Sequence, residues 1–144
     1  MIIALAVAGS AAAAGTIPFR VIAHGISTLK TTPKPFALGA SSRADARRIV
    51  HDVPPAAAQA VLRTSFRRSI AVGVFGPFGC KDDRVGVARV TQAGTVLTVR
   101  LTVKPLPPGT AECQAVYETA RVLVMPRAAL HGVPSKAMVT VAGS

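Results

Sequence analysis

The stretch FGPFGCKDDRVGV, residues 75–87, brings together glycines, a cysteine, a lysine and two adjacent carboxylates, residue types that could bind a phosphate or a metal. A phosphate-binding loop needs G-x-x-x-x-G-K-[ST] between a strand and a helix. Here Cys80 follows Gly79, and Asp82 stands where the hydroxyl should be. The apolar residues that follow predict a strand, so no helix N-terminus is available to hold an anion. The sequence therefore argues against a phosphate site.

The adjacent acids Asp82 and Asp83 also lack the spacing of a calcium site. EF-hand loops place their acids at alternate positions and end with a bidentate glutamate. Lys81 and Arg84 flank the pair and would offset its charge. We therefore interpret these acids as part of a solvated turn between two strands.

The three histidines, His24, His51 and His131, lie far apart in the chain and share no metal-ligand spacing. The nucleophile motif G-x-S-x-G is absent, and scattered Ser, His and Asp residues do not by themselves indicate a triad. We expect no catalytic residues, no metal site and no cofactor, in a protein that is not an enzyme. A small hydrolase is kept as a third hypothesis, behind the two binding functions described below.

Cys80 and Cys113 are the two cysteines of the chain, and we expect them to form a disulfide. A cysteine pair in a small exported domain is usually bonded. Two sulfurs are too few for structural zinc, which takes four ligands. The closed loop of about 34 residues would stabilise the fold by roughly 3–4 kcal/mol. In a cytosolic chain the same pair would be two buried thiols.

Residues 1–14 are predicted to be a signal peptide, so we expect a secreted or periplasmic protein. An apolar run at 2–8 is followed by Gly and Ser and then by four alanines, the small residues that a signal peptidase needs. The run is shorter than the roughly 20 apolar residues that cross a bilayer. The basic residue that usually precedes such a run is missing, and the alternative is an apolar first strand.

The formal net charge is +11, with only six acidic residues, and such a surface attracts polyanions. Domains that bind single-stranded nucleic acid interleave aromatic and basic residues, whereas this chain has one Tyr, no Trp and five scattered Phe. We expect no specific nucleic-acid binding. The charge could equally serve solubility. The basic residues predicted to form an interaction surface are Arg43, Arg47, Arg48, Arg63, Arg67 and Arg68.

The apolar pattern predicts one mainly β domain over 15–144, a small antiparallel β-sandwich or open barrel with one or two short helices. The clearest strand is 95–104, in which apolar and polar residues alternate. Residues 55–63 are the best helix candidate, and 44–52 could form a short helix capped by Asp45. The predicted strands are 17–23, 69–75, 84–90, 95–104, 113–125 and 137–141.

The order of features in the second half is similar to a known family. Phe66 precedes an apolar strand, a Gly-rich loop leads to a second strand, and an alternating hairpin strand follows. A turn at Pro108 and Gly109, a polar stretch and a final apolar strand ending in Met-Pro-Arg at 125–127 complete the series. In this order of features, residues 66–130 resemble the PrcB-like domain, which is associated with bacterial secreted protease complexes.

The resemblance implies an exported, non-enzymatic domain that binds or stabilises a partner protein, with a protease as the named case. Ser65 replaces the usual acid before the Phe, and Gly79-Cys80-Lys81 replaces Gly-Gly-Tyr in the loop. The aromatic residue expected near Thr119 is also missing. The cysteine pair would then staple the two loops. The alternative function is a basic domain that binds anionic polymers such as cell wall, acidic lipid or nucleic acid.

Overall fold

Eight strands in two sheets and two short helices make up the computed structural model, which describes residues 15–142. The strands are β1 (Gly15–Thr16), β2 (Arg20–Ile26), β3 (Phe36–Ala40), β4 (Ser69–Gly76), β5 (Val85–Ala93), β6 (Val96–Val103), β7 (Thr119–Pro126) and β8 (Lys136–Ala142). The helices are α1 (Arg43–Val50) and α2 (Pro55–Leu62), and 3-10 turns cover Gly79–Arg84 and Arg127–Ala129.

The first sheet has the strand order β1-β5-β6-β8 and the second the order β2-β7-β4-β3. The predicted mainly β sandwich with short helices is therefore confirmed. Each described strand pair is antiparallel except β6 with β8. β8 is parallel because the chain passes through β7 of the second sheet before it returns to the first.

Alternation in β6 buries Leu97, Val99 and Leu101 and leaves Arg100 in solvent, as the sequence predicts. These residues pack against the inward side chains of β4 and β7 to form the core between the sheets. β4 and β7 are the two central strands of the second sheet. They are apolar along most of their length because the helices cover their other face.

The helical layer packs Ile49 of α1 and Val61 of α2 in one core cluster with Phe75 of β4. Ser42 caps α1 by accepting a hydrogen bond from the amide of Asp45 (3.1 Å), which is the usual arrangement for a serine at this position. The sequence-based assignment of the cap to Asp45 is therefore wrong. α2 begins with Pro at its first position, as predicted.

Several predicted boundaries differ from the structure. The predicted strand 113–125 begins only at Thr119, because residues 113–118 form a loop before β7. Of the predicted strand 17–23, residues 20–23 lie in β2, which continues to Ile26, and residues 17–19 connect β1 to β2. The segment 27–42, in which no strand was predicted, contains β3. The predicted signal peptide at 1–14 lies outside the described residues. Across 15–142, neither helix is long enough to cross a bilayer.

Candidate functional site

The Gly79–Arg84 turn is fixed to the segment that precedes β7 by backbone contacts and a disulfide. The amide of Gly79 donates to the carbonyl of Tyr117 (3.0 Å), and a Cβ at Gly79 would lie 2.2 Å from the carbonyl oxygen of Ala115. Gly79 also has a φ of +54°, which favours glycine. Cys80 and Cys113 are bonded, with Cα atoms 5.7 Å apart, as the sequence predicts.

Asp82 points into the protein from this turn and accepts hydrogen bonds at both carboxylate oxygens. Its Oδ1 accepts from the hydroxyl of Thr119 (2.6 Å) and from the guanidinium of Arg121. Its Oδ2 contacts Nε2 of His24 on β2. The interpretation of both acids as solvated turn residues is therefore wrong for Asp82, whose side chain is 13% exposed, while Asp83 is exposed.

Arg121 enters this cluster from the middle of β7 and is almost fully buried. Its Nη1 donates to the carbonyl of Val85 (3.3 Å), and its guanidinium carbon lies 5.7 Å from the centre of the Phe78 ring. Burial lowers the pKa of Arg121 from its ordinary value, and the charge and hydrogen bond of Asp82 oppose that shift. Asp82 is thus the counter-ion that makes burial of this arginine tolerable.

The cluster has the geometry of a buried ion pair that closes one end of the sandwich. A nucleophilic mechanism needs a hydroxyl or thiol in hydrogen-bond reach of the base. Among residues 15–142, the hydrogen-bond partners of the His24 ring are the side chains of Asp82 and Arg121, and neither is a hydroxyl or a thiol. His51 ends α1 and His131 lies after the second 3-10 turn, so the three histidines do not meet.

A second buried carboxylate, Glu118, holds the loop between β2 and β3. It accepts from the amide (2.9 Å) and hydroxyl (2.6 Å) of Thr32, and its backbone carbonyl accepts from the amide of Ser27 (3.0 Å). Sequence reasoning missed both Glu118 and Arg121. The sequence did contain a signal for both, since each is a charged residue inside or beside an otherwise apolar central strand. Charged residues are rarely buried without partners, so their position indicated that each has one.

Exposed apolar side chains lie beside this framework. Ile26 is 61% exposed at the end of β2, and Val116 and Tyr117 are 65% and 36% exposed just before β7. Ile26 pairs across the sheet with Thr119, the first residue of β7, and Val116 and Tyr117 come just before it. The three side chains therefore belong to one end of the molecule. We call this surface the disulfide end; it comprises Ile26, the Gly79–Arg84 turn and the loop 104–118.

Two cavities open at the disulfide end, and Lys81 lines both. The first, about 410 Å³, lies between the β2–β3 loop, the β4–β5 loop and the ends of β6 and β8. The second, about 440 Å³, lies between the Gly79–Arg84 turn and the loop 104–118. The lining of the first includes Pro33, Pro35, Pro77, Phe78 and Val103, and that of the second includes Arg84, Lys104 and Leu106.

The six arginines predicted to form an interaction surface are all exposed. Arg43, Arg47 and Arg48 lie on α1 and Arg63 ends α2. Arg67 and Arg68 precede β4, at the opposite end of that strand from the disulfide end.

The region around these arginines is tied together by Arg127. Its side chain donates to the carbonyls of Phe66 (2.7 Å) and Ser41, which joins the segment before β4 to the segment before α1. Arg48 pairs with Asp45 at 3.2 Å. The basic residues therefore lie on the helical layer and its edge, away from the Asp82 cluster.

Comparisons of the chain with protein families, with curated proteins and with solved structures found no match. The resemblance of residues 66–130 to the PrcB-like domain therefore stays a prediction.

Proposed function

We propose that this protein is an exported, non-enzymatic binding domain that associates with or stabilises a partner protein. The observation that carries the proposal is the exposure of Ile26, Val116 and Tyr117 together at the disulfide end. Clustered exposed apolar side chains mark interaction sites on soluble proteins. Tyrosine is among the residues that most often anchor such interfaces.

The backbone under this surface is already ordered, which lowers the entropy cost of binding. Hydrogen bonds join Gly79 to Tyr117 and Ser27 to Glu118, and the disulfide closes the loop. The partner would meet a preformed surface. The resemblance to the PrcB-like domain suggests a secreted protease as that partner.

Export is supported by the bonded cysteine pair, because disulfides persist in oxidising compartments and are rare in the cytosol. The apolar leader predicted at 1–14 agrees with it. These two features together support a secreted or periplasmic location.

Affinity capture from the exported fraction of the source organism tests the proposal. We would compare the oxidised protein with Val116→Asp, which places a charge on the exposed surface, and with Met138→Asp as the control. Met138 is an exposed apolar residue of β8, in the other sheet. We expect to capture a discrete partner that survives a high-salt wash. This partner should also bind the Met138→Asp control and should be lost with Val116→Asp. Retention of the same partner by Val116→Asp would contradict the proposal.

A second candidate function, binding of anionic polymers, is favoured by the arginines of the helical layer. Among the described residues, Arg48 is the member of the predicted set with a carboxylate partner, and the other five have none. Displaced counter-ions make such binding fall steeply with salt. Affinity for heparin would be measured over a salt series for the protein and for Arg67→Gln with Arg68→Gln. A shallow slope that the double variant leaves unchanged would rule this function out.

A further inference from the structure

The two cavities of the disulfide end are adjacent, because Lys81 lines both of them, and we call the two together the groove. We propose that this groove binds an extended acidic segment of the partner protein, with an apolar side chain in the first cavity and a carboxylate beside Lys81 and Lys104. The inference rests on the proposed function and specifies which part of the partner is recognised. The surface around Val116 would then be a separate part of the same interface.

The first cavity is suited to an apolar side chain. Pro33, Pro35 and Pro77 contribute rigid rings, Phe78 an aromatic face, and Val103 an aliphatic wall. Its volume of about 410 Å³ lies in the range of pockets that enclose small ligands. Proline fixes its own φ, so these loop positions lose little freedom when an occupant enters.

The framework beneath the first cavity is also held in place. Glu118 fixes Thr32, the residue before Pro33. Phe78 packs under Arg121, whose charge is compensated by Asp82. The buried carboxylates of Glu118 and Asp82 therefore help to hold the residues that line the first cavity.

The second cavity is lined by three basic residues and two acidic ones, so its charge is net positive: Lys81, Arg84 and Lys104 against Asp83 and Glu112. Arg84 is already engaged, since its Nη1 donates to the carbonyl of Lys104 (2.8 Å) and its Nη2 lies 3.5 Å from Glu112. The exposed side chains of Lys81 and Lys104 have no carboxylate partner within residues 15–142. Asp83, exposed on the same lining, is the acid that remains near them.

An acidic segment fits this charge distribution better than a neutral or basic one. The net charge of +11 draws acidic partners to the protein, and the two lysines fix the position of a carboxylate at the groove. Because Lys81 borders both cavities, the carboxylate and the apolar side chain must be close together in the bound segment. We expect them within about two residues, since an extended chain advances roughly 3.3 Å per residue.

Selection from random peptides displayed on phage, against the oxidised protein, tests the inference without a known partner. We expect the enriched peptides to share an apolar residue within about two positions of Asp or Glu. A synthetic copy of one enriched peptide should bind Lys81→Glu about tenfold or more weakly than the unaltered protein, because the substitution turns attraction into repulsion. Lys136→Glu is the matched control, since Lys136 is exposed at the opposite end of β8 from Val141 of the first cavity.

Three results would overturn the inference: enriched peptides without this apolar–acidic pair, equal binding to Lys81→Glu and Lys136→Glu, or equally tight binding of an oligoglutamate peptide. The last would mean that charge alone attracts the ligand. Capture of the natural partner separates the two proposals. A partner lost with Val116→Asp but kept by Lys81→Glu would leave the proposed function standing and would refute the groove. A partner kept by both variants would refute both.

Discussion

Replacement of Asp82 by alanine should destabilise the fold far more than its position in a surface turn suggests. Arg121 is 4% exposed, and Asp82 is its carboxylate partner among the described residues. The substitution leaves the guanidinium with the carbonyl of Val85, the ring of Phe78 and Nε2 of His24, none of which carries the negative charge of a carboxylate. Breaking a buried ion pair in this way typically costs about 3–5 kcal/mol. That is a large part of the roughly 5–15 kcal/mol that stabilises a typical domain.

The cost comes from the uncompensated charge, so removing both partners should be less harmful than removing one. The double variant Asp82→Leu with Arg121→Met replaces the pair by apolar side chains of similar size. Apolar replacement of a buried ion pair is often neutral or even stabilising. We therefore expect the double variant to recover most of the stability that Asp82→Ala loses.

Urea unfolding followed by far-UV circular dichroism measures these differences, with the disulfide intact in every variant. The chain has no Trp, so intrinsic tryptophan fluorescence cannot serve. Free energies come from linear extrapolation to water. Asp83→Ala is the control, because this exposed neighbour has no ion pair within the described residues and should change stability by less than about 0.5 kcal/mol.

Two outcomes would refute this account of the cluster. One is a loss below about 1 kcal/mol for Asp82→Ala, the value of an exposed ion pair. The other is a double variant as unstable as the single one, which would mean that packing rather than charge governs the cost. Either would show that Arg121 does not depend on Asp82.

Three further predictions concern the same framework and the helical layer. Removing the disulfide with Cys80→Ser and Cys113→Ser should cost roughly 3–4 kcal/mol, because the bond closes a long loop in the unfolded chain. Gly79→Ala should destabilise the fold strongly, since its Cβ would lie 2.2 Å from a carbonyl oxygen. Gly94 has a φ of +59° but no atom within 4 Å of a Cβ placed there, so Gly94→Ala should cost only about 1–2 kcal/mol. Hydrogen bonds, first from the amide of Ser41 and then from its hydroxyl, hold the pKa of Asp45 below its ordinary value of 3.8. The stabilising contribution of the ionised Asp45 carboxylate should therefore be complete above pH 3.8, and it should be lost as the pH falls through the lowered pKa.

Urea midpoints provide the readout for all three. Unchanged stability on mutation or on reduction would contradict the disulfide prediction, and equal costs for the two glycine variants would contradict the close approach at Gly79. For Asp45, the difference between the unaltered protein and Asp45→Asn should shrink between neutral pH and a pH well below 3.8. A difference that stays constant over that range would show that the ionised carboxylate is not what stabilises α1.

The outline of the sandwich was predictable because it depends on local patterns. Alternation along β6 indicated one buried face, and the apolar runs at 69–75 and 113–125 indicated the strands β4 and β7. Five strands after the helical region were expected, and β4 to β8 are present. The disulfide followed from the number of cysteines together with the expected compartment.

What the tertiary structure decided depends on contacts between residues far apart in the chain. Asp82 meets Arg121 and His24 across 39 and 58 positions, and no local pattern distinguishes it from Asp83, which stays in solvent. β3 was missed because FALGA is short and lies among prolines, and its pairing with β4 makes it a strand. The sequence alone thus determined most of the segments that become strands and which loops are linked by the disulfide. Only the packing of distant segments determined which charges are buried, because that depends on the partner each charge finds.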